Sequence, residues 1–209
     1  MKLYSYWRSS SSYRVRIALN LKGLAYQTQA VNLLENEQQS PAYATLNPAR
    51  GLPSLVLDDG TVLTQSMAIL EWLDETYPTP PLLPPDPILR AKVRAAAQVI
   101  ASEVHPVNNL RVLARLKAMG HDQTDTVAWM KHWMVEGFDA FAALISPTEA
   151  FSFGASPGLA DLCLVPQLYN ARRWGVDLAP YPRLVAIEAR CLALSAFDAA
   201  RPEAQADAT

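Results

Sequence analysis

Tyr4-Ser5-Tyr6-Trp7-Arg8-Ser9-Ser10-Ser11-Ser12-Tyr13-Arg14-Val15-Arg16-Ile17-Ala18-Leu19 is the stretch that decides how this chain folds. An aromatic, strand-like run breaks into four serines and resumes with helical spacing, so it reads as strand, loop, helix. Val15, Ala18 and Leu19 share one helical face, and the helix is expected over residues 12–22. Ser11 or Ser12 can cap its first turn, and Lys22-Gly23 offers a cation and a left-handed stop at its far end. The serines therefore stand at a helix N-terminus, where unpaired backbone N–H groups and the positive end of the macrodipole suit a thiolate, carboxylate or phosphate. Read alone, they fit a plain capping loop equally well.

Outward from that stretch, residues 1–77 alternate short strand and helix patterns. Residues 26–31 read as a strand, and residues 40–46 as a weak helix that ends before Pro48. Apolar residues 52–57, the turn Asp58-Asp59-Gly60 and residues 61–63 read as a hairpin. Ser66 then opens a helix carrying Ile69, Leu70 and Leu73 on one face. The order βαβ, connector, ββα closes as one mixed sheet with helices on its faces. Pro53 is either an ordinary first residue of a strand or a cis proline in a tight turn. In the cis form it would turn the backbone of Leu52 outward, towards an extended peptide ligand.

Six of the sixteen prolines fall within residues 77–87, which marks residues 78–87 as a linker. Beyond it, residues 88–209 read as all-helical. A long helix over 88–119 is kinked by Pro106. A second, over 124–145, carries Val127, Met130, Trp133, Met134, Phe138, Phe141 and Leu144 inward. A third begins near Gly158, a fourth spans 182–197, and the polar end from Arg201 is expected to fray.

Bulk properties narrow the function classes. The 209 residues are 50% hydrophobic with a formal charge of −2, which suits a globular protein. No Lys/Arg run recommends nucleic acid or an acidic membrane as a partner. Cys163 and Cys191 lie in apolar helical patterns without redox or zinc spacing, and no apolar run approaches the roughly 18 residues of a membrane span. A cytoplasmic location is expected by default.

Several motifs together resemble the glutathione transferases, whose N-terminal domain is thioredoxin-like and whose C-terminal domain is all-α. The run from Arg8 to Leu19 resembles the Ser-Ser-Cys-x-x-Arg-Val-Arg-Ile-Ala-Leu signature of the zeta class, which includes maleylacetoacetate and maleylpyruvate isomerases. Gln65-Ser66, His105-Pro106-x-Asn108-Asn109, the stretch from Ala160 to Gln167 and the stretch from Val176 to Pro182 extend the likeness over nearly the whole chain. It departs from the class at Ser11, where the pattern has cysteine, and from the superfamily at Gly158, where Ser or Thr usually caps the helix three residues before Asp161. A hydroxyl at Ser11 still donates to a thiolate, and Asp161 can still reach back to the Gly158 N–H.

The resemblance implies glutathione as cofactor, with no metal. A free thiol with a pKa of about 8.5 is only slightly ionised at neutral pH, so its site must favour the thiolate. Ser9, Ser10 and Ser11 are the candidates for this catalytic task, with Ser10 and Ser9 ahead of Ser11. Leu52 would pair with the cysteinyl backbone, Ser66 and Gln65 with the γ-glutamyl end. His105, Asn109 and Gln38 would complete the set. Arg8, Arg111 and Arg173 suit a small dicarboxylate substrate, because guanidinium pairs with carboxylate in a bidentate fork. The implied activity is cis–trans isomerisation of maleylacetoacetate by reversible thiolate addition to the double bond. Maleylpyruvate is the near alternative, followed by transfer to small α-halo acids and then a non-catalytic glutathione-binding scaffold. The resemblance also implies a homodimer. His121 and His132 are read as surface residues.

Overall fold

A computed structural model describes residues 1–208. The chain forms two compact units: residues 1–81 together with the segment from Leu192 onward, and Leu82–Cys191.

In the first unit, β1 (Lys2–Ser5), β2 (Gln27–Ala30), β3 (Ser54–Val56) and β4 (Val62–Thr64) form a mixed sheet in the order β2-β1-β3-β4. Strand β1 is parallel to β2 and antiparallel to β3, and β3 is antiparallel to β4, as the βαβ-ββα reading requires. Helix α1 (Ser10–Leu21) starts two residues earlier than expected because Ser9, not Ser11 or Ser12, is the cap: its side chain accepts from Ser12 N. Val15, Ile17, Ala18 and Leu19 are fully buried, and α1 packs against α3 (Ser66–Thr76). The Gly23 stop is left-handed, with φ +65°. Lys22 is no loose cation: its Nζ pairs with Asp74 and donates to the carbonyls of Tyr77 and Pro80, tying the end of α1 to the start of the proline-rich stretch. The connector holds a short 3-10 turn (Glu37–Gln39) and α2 (Pro41–Leu46), capped by Ser40.

The segment from Leu192 onward belongs to this first unit, so the all-helical unit is shorter than 88–209. After α9 (Pro182–Leu192) comes a separate short helix, α10 (Ser195–Asp198), in place of one helix over 182–197. It packs on α1, where Asn20 donates to Ala196 O and Arg16 to Ala200 O. The expected fraying from Arg201 does not occur over residues 201–208. A 3-10 turn (Pro202–Ala204) forms, and the Asp207 carboxylate accepts from Trp7 N at 3.0 Å.

In the second unit, Leu82 and Leu83 are buried, and Leu82 O accepts from Leu159 N at 2.8 Å, so the end of the proline-rich stretch is packed rather than a bare spacer. Asp86 caps α4 (Pro87–Gln98) by accepting from Leu89 N. The single long helix expected over 88–119 is interrupted. A π-helical stretch (Val99–Val104) leads into α5 (His105–Val107), with His105 N donating five residues back to Ile100 O. Pro106 has no N–H to give, and the widened turn before it absorbs that loss. Asn109 then starts α6 (Leu110–Ala118) by accepting from Arg111 N.

Helix α7 (Gln123–Leu144) buries Met130, Met134, Phe138 and Phe141, whereas Leu144, expected inside, is 46% exposed. It crosses the π stretch so closely that a Cβ on Gly137 would lie 2.0 Å from Val104 Cγ2. Helix α8 (Leu159–Arg173) is buried from Leu159 to Leu168. Asp161, in its first turn, accepts from Gly158 N as expected, and also from Ser152 N and Oγ. Gly158 fits where a larger cap would not, since its Cβ would stand 2.9 Å from the Leu82 carbonyl oxygen.

Candidate functional site

Strand register places the first set of candidates. Ser54 pairs with Tyr4 on one side and Thr64 on the other. The loop following β1, the residues preceding β3 and the start of α3 therefore lie at one end of the sheet. That end collects residues 6–11, Leu52, Gln65 and Ser66.

The loop between β1 and α1 is fixed by its own backbone bonds. Ser9 N donates to Tyr6 O, and Arg16, fully buried, donates to Ser5 Oγ and to the carbonyls of Tyr6 and Trp7. Ser9 Oγ accepts from Ser12 N at 3.2 Å, which leaves its O–H proton to donate elsewhere. Ser10 and Ser11 occupy the first turn, only 7% and 8% exposed, where helix geometry leaves backbone N–H groups without intrahelical acceptors. Arg8 lies with its guanidinium 4.5 Å from the centre of the Trp7 ring and donates to Tyr6 Oη. Among the described residues no carboxylate pairs with it, and its Nε is buried without an acceptor. Its charge is held in place but not neutralised.

Ser66 is the first residue of α3, and its Oγ accepts from Arg14 of α1 at 3.3 Å. Arg14, 1% exposed, thereby ties the two helix N-terminal turns of the site together. Gln65 before it adopts φ +68°, a conformation that costs a side-chain-bearing residue about 1–3 kcal/mol and that concentrates at functional sites. The Leu52–Pro53 bond is cis, and no described residue engages the backbone N–H or C=O of Leu52. The loop beneath it is held by Tyr43 and Asn47, which share Gly51 O and Ser54 Oγ as partners. Burial pushes the Tyr43 phenol up, so it stays a neutral donor. Gln38, in the 3-10 turn, is 9% exposed with an Oε1 that has no partner, and Arg50 ties the neighbouring Gln39 to the Leu52 loop.

Tyr43, Asn47, Arg14 and Arg16 were missed as site-supporting residues. Only the two arginines left a signal: charged residues in an otherwise apolar helix must find partners if that helix is buried.

The second set lies in the helical unit, on two elements. His105 begins α5, Asn109 caps α6 with its Oδ1 committed to Arg111 N, and Arg111 is exposed on the first turn of α6. Arg173 ends α8 with its guanidinium 4.7 Å from the Trp174 ring, while its neighbour Arg172 pairs with Glu188.

Residues 8–76 match the family described as glutathione S-transferase, N-terminal domain. The chain is 47% identical to a maleylacetoacetate isomerase of Pseudomonas aeruginosa over 99% of this chain and 98% of that one. It superimposes on the holo structure of a bacterial maleylpyruvate isomerase, a zeta-class glutathione transferase, with TM-score 0.97 and 47% identity over both full chains. The chain belongs to the zeta class of glutathione transferases. This zeta-class chain is also 46% identical, with TM-score 0.89, to a maleylacetoacetate isomerase of Anaeromyxobacter dehalogenans solved with dicarboxyethyl glutathione and citrate in its active site. That match covers 100% of this chain and 97% of the other.

The first unit of this transferase fits glutathione on its own chemistry. Leu52 offers a backbone donor and acceptor to a peptide, Ser66 a hydroxyl at a helix N-terminus to a carboxylate, and Gln38 an acceptor to an ammonium or amide.

Proposed function

We propose that this protein is a glutathione-dependent cis–trans isomerase of maleylacetoacetate, with maleylpyruvate as the second candidate, both names being carried by near relatives. The observation that carries the proposal is Arg8, an unneutralised cation fixed beside a serine-lined helix N-terminus. Glutathione, when bound, supplies the thiolate that adds reversibly to the double bond and lets it rotate. Ser9, Ser10 and Ser11, with the N-terminus of α1, favour a negative sulfur over a neutral one. Ser66, Gln65, Leu52 and Gln38 hold the peptide. Arg8 binds a substrate carboxylate and steadies negative charge as it develops on the substrate.

His105 and Asn109 for glutathione, and Arg111 and Arg173 for the dianion, are proposed from the zeta-class resemblance and on charge. A homodimer and a place in aromatic catabolism rest on the same resemblance, and a cytoplasmic location on the default reading of the sequence. Cys163 and Cys191 are buried and not joined in a disulfide, which is consistent with a reducing compartment.

Arg8→Ala tests the reading. It should raise KM for the maleyl substrate by about tenfold or more, the scale of one charge-assisted pair, and leave glutathione affinity by calorimetry within about twofold. An unchanged KM would refute the role of Arg8.

A further inference from the structure

We infer that Asp207 is a positioning residue for Arg8, an inference that rests on the isomerase reading above. The polar tail expected to fray instead returns to the loop that carries Arg8. There Asp207 Oδ2 accepts from Trp7 N at 3.0 Å, across 200 residues of sequence. Trp7 is thereby fixed at both of its backbone groups, because its carbonyl accepts from Arg16 Nη2 at 2.9 Å. Arg16 also donates through Nε to Ala200 O at 3.0 Å, so one buried guanidinium joins the tail to the loop. The Trp7 ring, 8% exposed, is in turn the surface on which the Arg8 guanidinium lies, and Tyr6 Oη accepts from Arg8. The chain of contacts runs from Asp207 to the Trp7 backbone, from the Trp7 ring to Arg8, and from Arg8 to the substrate carboxylate.

The other parts of the site have ties of their own: Ser9, on the same loop, donates its N–H to Tyr6 O and accepts at Oγ from Ser12 N as the cap of α1. Ser66 is fixed by Arg14, and the Leu52 loop by Tyr43 and Asn47. Loss of the Asp207 bond should therefore disturb the carboxylate clamp and spare the glutathione residues. A displaced loop also misplaces a charge whose usefulness depends on sub-ångström placement.

The test compares Asp207→Ala with Asp207→Asn, which keeps an amide oxygen to accept from Trp7 N. Asp207→Ala should raise KM for the maleyl substrate roughly three- to tenfold, the scale of one lost hydrogen bond. Its glutathione affinity by calorimetry should stay within about twofold, and Asp207→Asn should restore KM. Hydrogen exchange of the peptide containing Trp7, followed by mass spectrometry, should quicken in Asp207→Ala only. The inference is overturned if Asp207→Ala keeps the wild-type KM, if both variants are impaired alike, or if exchange at Trp7 is unchanged. It is overturned too if glutathione affinity falls in step with KM. Wild-type protein without turnover would fail the isomerase reading separately. Exchange at Trp7 and calorimetric binding of malonate, a small dianion, to the glutathione-loaded proteins would then decide the positioning role: unchanged malonate affinity in Asp207→Ala overturns it, and a drop rescued by Asp207→Asn upholds it.

Discussion

Replacing Asp161 with alanine should cost this protein about 3–5 kcal/mol of stability. The carboxylate is 1% exposed and accepts three bonds: Ser152 N at 3.0 Å, Ser152 Oγ at 2.7 Å and Gly158 N at 2.8 Å. Alanine leaves two backbone N–H groups and a hydroxyl without their acceptor. A buried donor left unpaired costs about 1–3 kcal/mol, and the rotatable Ser152 hydroxyl is the one best able to find another partner. The loss is a large share of the roughly 5–15 kcal/mol available to a domain. Asp161→Asn should cost less, about 1–3 kcal/mol, because Oδ1 still serves Ser152 while the new NH2 faces the Gly158 N–H.

The pH dependence separates the two variants further. Burial pushes the Asp161 carboxyl above its ordinary value of 3.8, while its three donors and Gly158 in particular pull it back. The folded state thus holds this proton to higher pH than the unfolded chain does. Its contribution to stability is largest below the ordinary value and declines as pH rises through the raised one. Asp161→Asn should remove that decline. Urea unfolding followed by circular dichroism, at several pH values, reads both effects. An Asp161→Ala variant within about 1 kcal/mol of wild type at every pH would refute the reasoning, since one satisfied buried group cannot be worth so little when three donors depend on it.

Gly137→Ala should destabilise by about 1–3 kcal/mol in the same urea assay, because its Cβ would stand 2.0 Å from Val104 Cγ2 and α7 must shift away from the π stretch. Ser9→Ala should lose about 1 kcal/mol of stability as a lost helix cap in addition to any loss of rate, whereas Ser10→Ala, inside the first turn, should not carry the capping cost. Burial, and after it the negative charges of Asp161 and Glu188, push the Cys191 thiol far up, so Cys191 should resist alkylation at pH 8 in the folded protein and react after unfolding, as mass spectrometry would show.

The fold was legible wherever local chemistry spoke for itself. The serine run announced a helix N-terminus and Asp59-Gly60 a hairpin, because caps and turns depend on neighbouring residues. Long-range bonds were not legible in that way. Nothing in an alanine-rich polar tail announces that Asp207 meets Trp7, or that α10 seals α1, since those partners are distant in sequence. The interruption of the 88–119 helix was half visible. Pro106 signalled a defect, but not the π stretch that accommodates it, which packs closely against Gly137, a residue distant in sequence. At the candidate site, the helix N-termini at the serine run and at Ser66 were readable from their motifs. Tyr43 and Asn47 were not, because a supporting network beneath a loop carries no spacing rule of its own.

The most direct test of the central claim is the rate at which purified protein isomerises maleylacetoacetate and maleylpyruvate, each with and without glutathione. The account predicts turnover that requires glutathione, faster on maleylacetoacetate, and weakened by Arg8→Ala through KM. Glutathione binding in calorimetry with no turnover of either substrate would contradict it.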